Sequence, residues 1–158
     1  MSESSGHPDT AAAPSASATS DAAPTVTPFL MFEGNCREAV EFYVATFGAS
    51  LPDTAVDSLA LYGPDDAGTE GLVAGCEFTI AGQRIRAFDS PAHHEFTFTP
   101  SISFFIDVTS ADDVRTLASA LGEDGFELMP PDDYGFSELF AWVQDRWGVT
   151  WQLNYARG

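Results

Sequence analysis

The chain has no lysine. Its 158 residues carry 6 cationic side chains, all arginine, against 24 Asp and Glu, for a net charge of −18. Phosphate backbones are held by Lys and Arg, so a surface this poor in cations excludes nucleic acid as a partner. Long apolar runs are missing too. Nothing approaches the roughly 20 consecutive apolar residues of a membrane helix, and no membrane partner is expected. Cysteine is scarce: Cys36 and Cys76 form no CxxC pair and no disulfide framework, and are expected to be reduced and partly buried. That thiol state suits a cytoplasmic protein. Residues 1–24 lack aromatic side chains and any apolar period, so they are expected to be a disordered Ala/Ser/Pro tail. They also lack the basic start and apolar stretch of a secretory signal. The acidity itself is read as halophilic adaptation, with an acidic surface of GC-rich codon usage as the alternative.

What is present is a repeat. Val26–Phe32 reads as a strand, broken by Glu33-Gly34 and followed by Asn35, three before Glu38, in a capping-box-like helix start. Cys36, Ala39, Val40, Tyr43, Val44 and Phe47 fall on one helical face, and Gly48 follows them. Leu51–Tyr62 reads as a strand. Leu72–Ile80 and Arg84–Phe88 read as a hairpin, and Ser90–Phe98 as a linker. The plan then recurs: a strand at Ile102–Asp107, and a helix capped by Ser110 and Asp113 with Val114, Leu117, Ala118 and Leu121 inward. A strand at Phe126–Met129 stops before Pro130-Pro131, and Leu139–Gln144 and Thr150–Tyr155 form a last hairpin. The fold class predicted is α+β, two βαβββ modules (about 25–92 and 99–158) making a cupped mixed sheet within one domain, 25–158. A duplicated module tends to place a pocket at its seam.

Three blocks carry a family resemblance. Pro28-Phe29-Leu30-Met31-Phe32-Glu33-Gly34-Asn35-Cys36-Arg37-Glu38-Ala39-Val40-Glu41-Phe42-Tyr43 resembles the opening of PhnB-like proteins, of the vicinal oxygen chelate (glyoxalase/bleomycin resistance/dioxygenase) superfamily. Ala74–Ile80 with Arg86–Ser90 is similar to the next block, with Cys76 where His is usual, and Asp145–Trp151 to the closing block. The resemblance implies paired βαβββ modules around a metal-centred cup, often sealed across a homodimer. In family enzymes His, Glu or Gln from four strand positions hold a divalent metal acting as a Lewis acid. Those positions correspond to Thr27 or Pro28, Asp89, Ser101 or Ser103, and Gln152. Only Asp89 and Gln152 are plausible ligands and neither is imidazole, whereas a catalytic metal normally has about three protein ligands. No metal site and no cofactor are therefore expected. The chain also shows no glycine-rich loop after a strand that would cradle a methyl donor, which speaks against a methyltransferase.

The candidate ligand-binding residues are Asp89, Ser103, Phe104, Trp142, Trp151, Gln152 and Asn154. Asp89 ends a strand and is either a pocket carboxylate or a turn former. Gln152 shares a strand face with Thr150 and Asn154, opposite Trp151 and Leu153, and that face either lines a cup or meets water. Trp142, Trp147, Trp151, Phe104 and Phe140 are aromatic walls or core. His93 and His94 are adjacent and point apart, which reads as solvated linker histidines near Glu95; His7 falls in the tail. The expected function is a small-molecule-binding cup without a complete metal site. The alternatives are a divalent-metal-dependent lyase, isomerase or dioxygenase-type enzyme, and a non-catalytic dimeric structural module.

Overall fold

The computed structural model describes residues 23–158. The tail expected to be disordered lies outside the described residues, except Ala23 and Pro24, which are exposed and irregular. No helix among the described residues is long and apolar enough to cross a membrane.

Two βαβββ modules are present, as the repeat predicts. The first comprises β1 (Phe29–Phe32), α1 (Cys36–Gly48), β2 (Ala55–Leu61), β3 (Val73–Ile80) and β4 (Gln83–Asp89), in sheet order β1-β4-β3-β2. The second comprises β5 (Phe104–Asp107), α2 (Ala111–Gly122), β6 (Phe126–Asp132), β7 (Leu139–Gln144) and β8 (Thr150–Tyr155), in order β5-β8-β7-β6. In each sheet the first strand runs parallel to the last, and the other pairings are antiparallel. Each four-stranded sheet is mixed, open and flanked by one helix, a cupped α+β arrangement.

Several boundaries move, each for a local reason. β1 starts at Phe29, although the Pro28 carbonyl still accepts the Arg86 amide at 2.9 Å. Leu51–Asp53 is not strand: the Ser50 and Leu51 amides fold back onto the Phe47 carbonyl, and Asp53 has φ 50°. β6 runs on through Pro130-Pro131. It is an edge strand with register shifts on either side of Met129, and an edge tolerates prolines that have no N–H to donate. The β3–β4 hairpin closes with the two-residue loop Ala81-Gly82, both at positive φ (47° and 80°), the conformation that matches strand twist.

The helices start differently. Ser110 caps α2 as expected, its Oγ accepting the Asp113 amide at 3.1 Å. Asn35 occupies the cap position of α1 but makes no side-chain cap bond. Asp89, from the end of β4, takes that role across the module.

The helix-bearing faces of both sheets share one core. Tyr43 and Phe47 of α1 lie 4.9 Å, ring centre to ring centre, from Trp151 of β8. Trp151, Tyr43 and Phe47 are completely buried. Because the helical sides meet, the helix-free faces are left on the outside of the chain, where Phe29 (61% exposed) and Phe105 (56%) project.

Candidate functional site

β8 alternates, and its register decides which candidates meet. Gln152 pairs with Phe105 on β5 and Trp142 on β7, and Asn154 pairs with Asp107 and Phe140. Paired residues project to one side, so Trp142, Gln152, Asn154, Phe105 and Phe140 share the helix-free face of the second sheet. Ser103, one step before β5, joins them through its hydroxyl. Trp151 and Phe104 lie on the other side, stacked at 4.9 Å within the helical core.

Two hydrogen-bond chains frame this face. At one end Trp142 Nε1 donates to Ser103 Oγ at 3.1 Å, Ser103 Oγ lies 2.7 Å from Thr150 Oγ1, and Thr150 donates to the Ile102 carbonyl. At the other, Ser137 donates to Asn154 Oδ1, and Asn154 Nδ2 donates to Asp107 at 2.6 Å. Gln152 stands between them, and its half-buried side-chain amide makes no hydrogen bond among the described residues. Tyr134, Phe136, Phe140 and Phe105 form an aromatic cluster along the same face.

Asp89 is elsewhere. Its side chain is buried against α1, with Oδ1 accepting the Gly34 and Cys36 amides at 2.7 and 3.0 Å and Oδ2 accepting the Val73 amide at 2.9 Å. It serves three backbone donors, two of them at the start of α1, where a carboxylate also complements the helix dipole. The linker histidines part company, as neighbours on an extended chain do. His93 Nδ1 meets Glu33, not Glu95, at 2.8 Å, while His94 Nε2 meets Ser90 Oγ at 2.8 Å. The hydrogen bond from His93 is the main cause holding the Glu33 carboxyl below its ordinary value. Both thiols are free and buried; burial pushes Cys76 up to about 11 and Cys36 higher still.

Grooves run along the seam where the two modules adjoin. An apolar one of about 230 Å³ is lined by Pro28, Leu30, Ile102, Phe104 and Val149 with Ser103, and one of about 420 Å³ by Ile80, Ile85, Phe104 and Ile106, backed by Trp151. Ser103 and Phe104 border both. The candidates therefore separate into a seam group (Phe104, Trp151), a helix-free-face group (Trp142, Gln152, Asn154) and Ser103, which touches both. Phe105, which flanks Gln152, escaped the sequence reading, since only strand pairing places it there.

A family model described as 3-demethylubiquinone-9 3-methyltransferase matches residues 24–154. A PhnB protein from Bacillus cereus, provisionally labelled with the same activity, is 37% identical, with TM-score 0.78, over 84% of this chain and 100% of that one. The chain belongs to the PhnB-like family. Protein YjdN of Escherichia coli (strain K12) is 25% identical over 146 residues, 84% of this chain and 95% of that protein. A glyoxylase/bleomycin resistance protein/dioxygenase domain from Frankia sp. EAN1pec shares the fold, with TM-score 0.59 at 12% identity over 87% of this chain and 100% of that one. These relatives bear out both the PhnB-like resemblance and the superfamily fold.

The metal centre of superfamily enzymes finds no matching ligand set among the described residues of this PhnB-like chain. Among the described residues no three His, Cys, Asp or Glu side chains are placed to hold one ion. The two plausible ligands, Asp89 and Gln152, are not brought together: one is buried against α1 in the first module, the other lies on the helix-free face of the second. Asp89 is also saturated by backbone amides, and releasing it would strand buried donors.

Proposed function

We propose that this PhnB-like protein binds a small molecule on the helix-free face of the second sheet, without metal chemistry. Gln152 carries the reading. Its free amide sits between Trp142 and Phe105, and a polar anchor between aromatic walls is how small-molecule sites fix orientation. Ser103 and Asn154 are already bonded to the protein, so Gln152 is the group with donors and acceptor to offer. A second copy of the chain covers the open face, which explains why aromatic side chains project from it.

The test pairs elemental analysis with thermal melting. Protein purified without chelators should be metal-free. Its melting temperature should rise with flat aromatic compounds bearing a hydrogen-bonding group, by mass action. Gln152→Ala should weaken that response about tenfold. Near-stoichiometric divalent metal, with a response abolished by chelation, would overturn the proposal in favour of the enzyme reading. Metal-free protein with no response to such a panel would favour the structural module.

A further inference from the structure

Cations are rare in this chain, so their placement is informative. Of the six arginines, Arg84 and Arg86 stand two apart on β4 and share the helix-free face of the first sheet. Arg86 pairs in register with Phe29 of β1 and Glu77 of β3. Its Nε donates to Glu77 Oε1 at 2.7 Å, while its two Nη groups make no hydrogen bond among the described residues. Glu77 thus holds the guanidinium by one edge and leaves the fork free. Asp57 of β2 accepts the Thr79 hydroxyl at 2.6 Å and forms no ion pair with either arginine, and Arg84 has no carboxylate partner among the described residues.

Beside that fork lies an open cavity of about 350 Å³, lined by Thr25, Thr27, Phe29 and Arg86. Thr25 and Thr27 come from the irregular segment that leads into β1, and both face the cavity alongside Phe29. Neither threonine hydroxyl is bonded to another described residue. Phe29 is stacked on Phe88 at 5.1 Å with the rings 7° apart, which leaves its outer face available. A planar fork of N–H donors matches the two oxygens of a carboxylate or phosphoryl group. The hydroxyls add donors, and the ring offers a platform for an apolar body.

We propose that this cavity binds a small organic oxyanion, its carboxylate or phosphoryl head on Arg86, Thr25 and Thr27 and its flat body against Phe29. The site does not depend on Gln152, which belongs to the other module. The overall charge of −18 repels anions, so binding rests on direct contacts.

Benzoate, phenyl phosphate and benzyl alcohol are titrated calorimetrically into the full chain at moderate salt. One or both anions should bind with an affinity that depends on Arg86, the stronger naming the head group, while any binding of benzyl alcohol should be unaffected by Arg86→Gln. Arg86→Gln should lower anion affinity about tenfold or more, and Thr27→Val should lower it less. The Arg86 Nε–H resonance should shift on titration in the wild type. Absence of binding by both anions, a loss of benzyl alcohol affinity in Arg86→Gln equal to that of the anions, or undiminished anion affinity in a folded Arg86→Gln variant would overturn the site. If Arg86→Gln unfolds, the Arg86 resonance and Thr27→Val decide: an unmoved resonance and unchanged affinity would overturn it equally.

Discussion

Asp145 is the residue on which the two modules close. Its Oδ2 accepts Tyr43 Oη at 2.7 Å and Trp151 Nε1 at 2.9 Å, while Oδ1 accepts the Trp147 and Val149 amides at 2.9 and 3.1 Å. Burial raises its carboxyl above the ordinary value of 3.8, against the lowering effect of those four donors. Burial and the Asp145 charge together push the Tyr43 hydroxyl well above its usual range. An acid with a raised folded pKa binds its proton more readily when folded. Its contribution is fully present below the unfolded value and is lost as pH rises through the folded one. Asp145→Asn should cost about 1–3 kcal/mol, because an amide nitrogen faces donors. The wild-type advantage over that variant should shrink as pH rises through the acid range and then level off. Urea unfolding of both proteins as a function of pH checks this, and an advantage that grows with pH would show that the hydrogen bonds outweigh burial.

Among the elements, α1 is the one whose start depends on a distant residue. The Asn35-to-Glu38 spacing pointed to a local cap, yet the Gly34 and Cys36 amides turn to Asp89. The third bond, from Val73, ties the start of β3 to the same carboxylate. Asp89→Ala should therefore loosen the starts of α1 and β3 and cost about 3 kcal/mol, several buried donors being left bare. Hydrogen exchange should show protection lost at Gly34, Cys36 and Val73 first. A loss below about 0.5 kcal/mol would mean that water replaces the carboxylate at no cost. α2 is the contrast: Ser110 caps it locally, and that is legible from the spacing. β6 shows the opposite limit, because prolines that should end a strand are carried on a sheet edge.

At the scale of the whole molecule, charge and the outer faces dominate. Twenty-four acidic groups meet 6 arginines, and the ion pairs among the described residues join partly or largely exposed side chains that contribute little. Self-repulsion is therefore the main electrostatic term. Raising KCl from dilute buffer to about 1 M shrinks the screening length from about 30 Å to about 3 Å. The melting temperature should climb over that range, and a flat profile would remove the halophilic reading. The helix-free faces belong to this scale as well. The Gln152 face and the Arg86 face lie in different modules of one chain, with the shared core between them.

Composition and spacing alone determined the duplication, the βαβββ order, both helical faces and the poverty of metal ligands. Such features are local: a period of 2 or 3.6, a cap three residues before its partner, a residue type that is present or absent. Tertiary structure decided the rest. Asp89 could not be told from a pocket carboxylate because the amides that saturate it lie 16 to 55 positions away. Gln152 was legible as one of a polar set on β8. That it alone is free depends on Asp107, Ser103 and Ser137, which reach its neighbours from other strands and a loop. The Arg86 fork was invisible for the same reason: strand register, not sequence neighbourhood, sets it beside Phe29 and Glu77.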